Sequence, residues 1–307
     1  MESLNLQGWM PIRIWQDEGE WRVDWCWFGE RRLDKPFFRE SVDEALRRPF
    51  NQAFRRQTAL EGLSQWQAQS PGLAPGAFVY HASRSGLPLI GQALAGLASH
   101  VLISLPPPLD TLLRAELPRE QQVAAIRGLL SAYGQIRNGQ ERALVIALDA
   151  WNIRERALMR ECFPQVPWLY LYRDPLEIAL SHLRQGGSEM VPGLLGSAWL
   201  DGDDGIGSRE DEIARRLGLM LGAGLEHSRA EGNLLLNYSE LPAAMGGLLA
   251  DFFGLSREQA LAAAVAGAQW PEEAVAAGEV PEQVRQRVAS LARQPYEALE
   301  ALRKASR

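Results

Sequence analysis

Between Phe78 and Leu94 the chain reads Phe-Val-Tyr-His-Ala-Ser-Arg-Ser-Gly-Leu-Pro-Leu-Ile-Gly-Gln-Ala-Leu. An apolar run is followed by a turn carrying His81, Ser83, Arg84, Ser85 and Gly86. A second apolar run follows, with helical period. This is the layout of a phosphate-binding loop: a strand ends, backbone N–H groups face an anion, and a helix N-terminus adds its positive end. The residues after the turn change that chemistry. Leu87 and Pro88 follow Gly86, where a phosphate cradle needs hydroxyls and a free N–H. Pro88 suits the first turn of a helix but donates no hydrogen bond. His81, at the strand's end, is the candidate general base. The alternative role for its ring is to tie the loop down by hydrogen bonds.

Four further apolar runs also end in polar residues, at Ser104–Asp110, Asp149–Asn152, Tyr172–Asp174 and Asn237–Glu240. In an open α/β sheet, ligands bind outside the carboxyl ends of the strands. Arg173 is the foremost candidate among these residues, because a guanidinium fork matches phosphate oxygens. Its other reading is a brace for the helix that Asp174-Pro175 begins. Asp110 and Asp149 flank the expected cleft. No His, Cys, Asp and Glu spacing forms a metal-ligand set, so no metal is expected. Cys26 and Cys162 lack metal or CxxC spacing and read as buried thiols. No Ser/His/Asp or Cys/His constellation emerges.

The loop at 80–91, taken with Leu171-Tyr-Arg-Asp-Pro-Leu-Glu-Ile-Ala-Leu-Ser181, resembles the bacterial sulfotransferase family, with its P-loop-related fold. Ser104-Leu-Pro-Pro-Pro-Leu-Asp110, Leu148-Asp-Ala-Trp-Asn152, Met190-Val-Pro-Gly193 and Asn237-Tyr-Ser-Glu-Leu241 extend the resemblance, which covers about Gly76 to Phe253. It implies that the first strand, turn and helix hold the 5′-phosphosulfate of 3′-phosphoadenosine-5′-phosphosulfate (PAPS), through Ser83, Arg84, Ser85 and Gly86. It also implies that Arg173 and Ser181, eight positions apart, grip the 3′-phosphate.

Three departures from the family pattern fall at the reacting end. Gly86-Leu87-Pro88 replaces glycine followed by hydroxyls. Leu105 stands where some relatives carry a glutamate base, and Ala147 where relatives often carry a lysine. Sulfuryl transfer most needs a base and a stabilising cation. A hydrogen bond to a charged group contributes about 1.5–3 kcal/mol, so losing three costs roughly 4–9 kcal/mol. Micromolar binding is only about 8 kcal/mol in all. Binding of PAPS, or of its product 3′-phosphoadenosine-5′-phosphate (PAP), is therefore expected to be weakened or absent unless Arg84 and Ser85 compensate. Three functions follow: a divergent PAPS-dependent transferase, an inactive relative that binds or regulates a partner protein, or an enzyme using the cleft for another anionic ligand.

The elements that must position these residues alternate. Strands are expected at Ala77–Tyr80, Val101–Ser104, Ala143–Leu148, Trp168–Tyr172 and Asn233–Asn237, each followed by a helical pattern. That is an α/β fold, a parallel sheet flanked by helices. Residues 1–75 read as an N-terminal addition and 76–307 as the sulfotransferase-like domain. Within the addition, Trp9, Trp15, Trp21, Trp25 and Trp27 mark a β-hairpin pairing Ile12–Trp15 with Trp21–Trp27. This Trp-rich region stabilises its own sheet or docks a protein partner. A helix is expected from about 51 to 69, with Arg47, Arg48, Arg55 and Arg56 on a solvated face or guarding an anionic site. A Gly-, Ser- and Asp-rich loop is expected at Gly186–Gly207, and a helical C-terminus ends with Glu282–Ser306.

The 307 residues are 46% hydrophobic and carry a net charge of −6. That balance disfavours nucleic acid and anionic lipid as broad partners. No apolar run reaches membrane-span length. The amino-terminal residues lack a basic-then-apolar signal, and the expected compartment is the cytoplasm.

Overall fold

The computed structural model describes residues 4–187, 190, 208–229, 233–269 and 282–307. The Gly186–Gly207 loop and the Met190–Gly193 segment lie largely outside the described residues. In chain order the elements are β1 (Trp9–Asp17), β2 (Glu20–Trp27), α1 (Phe38–Leu46), α2 (Pro49–Ala53), β3 (Arg56–Ala59), α3 (Glu61–Gln69), β4 (Pro75–His81) and α4 (Leu87–Ala95). Then come β5 (His100–Ser104), α5 (Pro107–Leu113), α6 (Arg119–Tyr133), β6 (Ala143–Ala147), a 3-10 turn at Ala150–Glu155, α7 (Arg156–Cys162), β7 (Trp168–Tyr172) and α8 (Pro175–Arg184). The chain closes with α9 (Arg209–Ser228), β8 (Asn233–Asn237), α10 (Leu248–Phe252), α11 (Arg257–Ala268), α12 (Glu282–Leu291) and α13 (Arg293–Ala305).

The five expected α/β strands form one sheet in the order β5-β6-β4-β7-β8. The β4–β6, β5–β6 and β7–β8 pairs are parallel. Their residues are almost uniformly buried, as continuous apolar runs covered on both faces should be. The loop Tyr80–Leu87 leaves the carboxyl end of β4, the end of a strand at which such sheets bind ligands.

Two compact units are distinguished. The first comprises Met1–Val79, Pro88–Pro167 and Pro242–Trp270. In it the hairpin is longer than expected, with Asp17 opposite Glu20 and Trp9 opposite Trp27. Its N-terminal end is tied to the residues after α6. The Gln135 side-chain Oε1 accepts from the Gly8 N–H at 3.2 Å, and the Arg137 guanidinium reaches the Met10 sulfur. The helix expected over 51–69 is replaced by α2, β3 and α3. Arg56–Ala59 leaves the helical path to pair with Arg22–Trp25, and Thr58 accepts from the Trp25 indole at 3.0 Å. Sheet pairing overrides a weak helical preference there. The prolines at 106–108 follow the end of β5 and open α5, because proline at the first helical turn loses no bond.

The second unit comprises Tyr80–Leu87, Trp168–Leu241 and Pro271–Arg307. Ser208 caps α9, exchanging bonds with Asp211. The expected single helix at 282–306 is broken at Ala292. Pro295 sits in the first turn of α13 and has no N–H to continue the ladder from α12. Glu300 of α13 meets the ends of β7 and β8. It accepts from the Tyr172 hydroxyl at 2.6 Å, the Asn237 amide at 3.0 Å and Arg303 at 2.8 Å. These bonds, that to Arg303 foremost, draw its carboxyl from the ordinary 4.5 down to about 2. A depressed carboxyl adds stability above its unfolded value and loses it as pH falls toward the folded one. Glu300→Gln is thus expected to flatten the fall in urea midpoint between pH 4.5 and about 2. An unchanged slope would show that α13 is not pinned through this carboxylate.

Among the described residues no helix is long and apolar enough to cross a membrane. Burial raises both thiols, Cys26 and Cys162, to about 11. Iodoacetamide at neutral pH is expected to spare both in the folded protein and label both in urea, read by intact mass.

Candidate functional site

The loop leaving β4 is held in an uncommon backbone shape. Ser83 and Arg84 have φ of 32° and 45°, and Gly86 has φ of 98°. Left-handed residues other than glycine cost roughly 1–2 kcal/mol each and persist where their surroundings dictate them. Here β7 and α8 supply that constraint. The Ala82 N–H and the Ser85 hydroxyl both donate to the Leu171 carbonyl, at 2.9 and 3.0 Å. The Ser83 hydroxyl meets His182 Nε2 at 2.9 Å. The Gly187 N–H donates to His182 Nδ1, so Nε2 carries the ring proton and donates to Ser83. Arg84 donates to the Gln185 carbonyl at 3.0 Å. Ser83 and Ser85 are fully buried. The hydroxyls that the turn retains are bonded to the protein itself, and the loop is locked by them. His81 ends β4 and is buried beside this turn.

Gly86 has no room for a side chain. A Cβ there would lie 2.7 Å from the Tyr238 ring and 2.9 Å from Leu241. The same Tyr238 ring supports Arg173, whose guanidinium carbon stands 4.2 Å from the ring centroid. Arg173 follows β7 directly and is only 5% exposed. Its Nε donates to Glu177, one turn into α8, at 2.6 Å. Its two terminal amino groups make no hydrogen bond among the described residues. Asp174 caps α8, accepting from the Leu176 and Glu177 N–H groups at 2.8 and 3.3 Å, and Pro175 opens it. Asp174 and Pro175 brace the helix, and Arg173 is held by Glu177 at its Nε and by the Tyr238 ring on its face. Ser181 is buried two turns along α8.

Leu105 and Ala147 are neighbours in the first unit. Ser104 pairs with Ala147 in the sheet, and the Leu105 N–H donates to the Ala147 carbonyl at 2.8 Å. Leu105 takes a left-handed φ of 52°. The positions that the family resemblance assigns to a base and a cation are thus adjacent, and both are apolar. Asp110 is buried and accepts from the Trp151 indole at 2.6 Å, the Asn152 amide at 2.8 Å and Arg114 at 2.6 Å. Asp149 and Asn152 cap the 3-10 turn reciprocally. Asp110 thus gathers three side chains, and Asp149 orders the backbone of the 3-10 turn. Among the described residues no His, Cys, Asp and Glu group could hold a metal.

Glu177, His182 and Tyr238 are the site residues that sequence reasoning did not assign. Glu177 had a legible signal, its (i, i+4) spacing from Arg173 on a helix. The other two reach the loop and Arg173 from distant segments, which no local pattern announces.

No protein-family model and no curated protein matches the chain. Several solved structures are similar to it. A sulfotransferase from Alicyclobacillus acidocaldarius is 15% identical, with TM-score 0.46, over 76% of this chain and 96% of that one. The sulfotransferase domain of the curacin biosynthetic pathway is 16% identical, with TM-score 0.43, over 71% and 97%. The sulfotransferase domain of the Synechococcus PCC 7002 olefin synthase is 17% identical, with TM-score 0.39, over 76% and 95%.

Proposed function

We propose that this is a sulfotransferase-like protein that keeps an anchor for a phosphate-bearing ligand and has lost ordinary PAPS-dependent sulfuryl transfer. The observation that carries the reading is the state of Arg173. Glu177 fixes its Nε and Tyr238 its plane, which leaves the two terminal amino groups for an anion. A fork already held in one orientation loses little entropy on binding phosphate. The residues present fit the 3′-phosphate of PAP in this way.

They do not fit the 5′-phosphosulfate. Ser83 and Ser85 are turned into the fold, and the residue types at the positions that the resemblance assigns to the reacting end, Pro88, Leu105 and Ala147, supply no N–H, no base and no cation. The role that follows is binding or regulation in a cytoplasmic setting, without turnover. An enzyme of different chemistry acting on another anionic ligand is the second reading, and the same free end of Arg173 favours it.

Calorimetric titration with PAP tests the anchor, and single-turnover assays with labelled PAPS over a broad acceptor panel test the lost transfer. Heat of binding without transfer is the expected pair of results. Transfer at an ordinary enzymatic rate, about 1 per second or faster, would overturn the reading. An absence of heat with PAP and with inorganic pyrophosphate alike would remove the anchor.

A further inference from the structure

A second surface, in the first unit, exposes a run of aromatic side chains. Trp27, Phe50 and Phe54 are 36%, 44% and 59% exposed and touch one another in series. Their ring centroids lie 5.7 Å apart for Trp27 and Phe50, and 4.9 Å for Phe50 and Phe54. Trp9 underlies them at 5.6 Å from Trp27, and the Arg56 guanidinium covers Trp9 at 5.2 Å. Exposed large aromatics are ordinary when scattered, whereas a contiguous cluster marks an interaction site. Aromatic and arginine side chains together are the commonest anchors of such sites.

Charge selects the occupant. Residues 47–56 carry four arginines and no carboxylate, in a chain of net charge −6. Arg48 is paired with Glu44. The Arg47 and Arg55 side chains make no ion pair among the described residues. Beside Phe54 a cavity of about 400 Å³ is lined by Arg13, Arg55 and Arg56, with Asp24 as its one acid. The surface is therefore a basic, aromatic island on an acidic protein. Its rim includes β3, the outer strand of the order β1-β2-β3, which among the described residues pairs with β2 alone. An outer strand presents backbone groups to any extended chain laid against it.

We infer that this face docks an extended acidic segment of another protein, its apolar side chains on Phe50 and Phe54 and its carboxylates toward Arg47 and Arg55. A nucleic acid would meet the same aromatics and arginines. The acidic balance of the whole chain repels a long polyanion, however, and the arginines without an ion pair among the described residues, Arg47 and Arg55, match a short acidic stretch. The inference stands apart from the anchor at Arg173, which lies in the other unit.

The probe is a fluorescein-labelled nonapeptide alternating Asp or Glu with Leu or Phe, followed by anisotropy. The acidic peptide is expected to bind. Its counterpart with Lys at every acidic position, oligothymidylate and phosphatidylserine vesicles are each expected to bind at least about tenfold more weakly. The pair Phe54→Ser and Arg55→Glu, both at exposed positions, is expected to weaken the peptide about tenfold or more with the urea midpoint unchanged. Arg173→Ala is expected to leave peptide binding intact. Equal binding of the lysine peptide, tighter binding of oligothymidylate or vesicles, or insensitivity to the pair of substitutions would each overturn the inference.

Discussion

Arg173→Ala is expected to abolish measurable binding of PAP, a loss of a hundredfold or more. The terminal amino groups of Arg173 offer two charge-assisted bonds to one phosphate. At about 1.5–3 kcal/mol each they amount to roughly 3–6 kcal/mol. A factor of ten is about 1.4 kcal/mol, so the lower figure alone exceeds a hundredfold. Arg173→Lys is expected to fail nearly as badly, since an ammonium cannot hold Glu177 through one nitrogen and a phosphate through two others. The substitution also strips Glu177 of its partner, and the apo protein's urea midpoint must therefore be measured alongside. A small change in midpoint with complete loss of heat assigns the residue to the ligand. Unaltered heat would move the anion elsewhere and end the proposed function.

Gly134→Ala is expected to be among the most destabilising small changes in the chain, by about 3 kcal/mol or more. Gly134 ends α6, and its neighbour across the gap is the backbone of Leu73, which donates to the Gly134 carbonyl at 2.7 Å. A Cβ at Gly134 would lie 2.2 Å from the Leu73 carbonyl oxygen. Gly72 approaches from the other side, its own Cβ position 2.1 Å from the Ser131 carbonyl oxygen. These are backbone atoms of two crossing segments, and no rotamer change relieves them. At roughly 2–4 °C per kcal/mol for a chain somewhat shorter than this one, the melting temperature should fall by about 6 °C or more. A shift under about 1 °C would show that the crossing relaxes freely.

The fold was legible because its signals are local. Five short apolar runs, each ending in polar residues and each followed by a helical pattern, suffice for a parallel sheet flanked by helices. The hairpin was legible from alternating tryptophans around Asp17–Glu20. Where the reading went astray, a distant partner decided. Residues 56–59 look helical in isolation and become a strand because Arg22–Trp25 offers an edge. The break at Ala292 was available in principle from Pro295, whose missing N–H falls one turn into the second helix.

The candidate site divides in the same way. By itself the sequence determined that the turn after β4 lacks hydroxyls at Leu87 and Pro88, and that apolar residues stand at positions 105 and 147. Those are statements of residue type, and type alone decides whether a donor or a base exists. Only the tertiary structure decided what the remaining polar groups do. His182 and Leu171 draw the Ser83 and Ser85 hydroxyls inward, while Glu177 and Tyr238 hold Arg173 by one nitrogen and one face. A hydroxyl or guanidinium can bond in many directions, and the partners that select one come from segments up to 99 residues away.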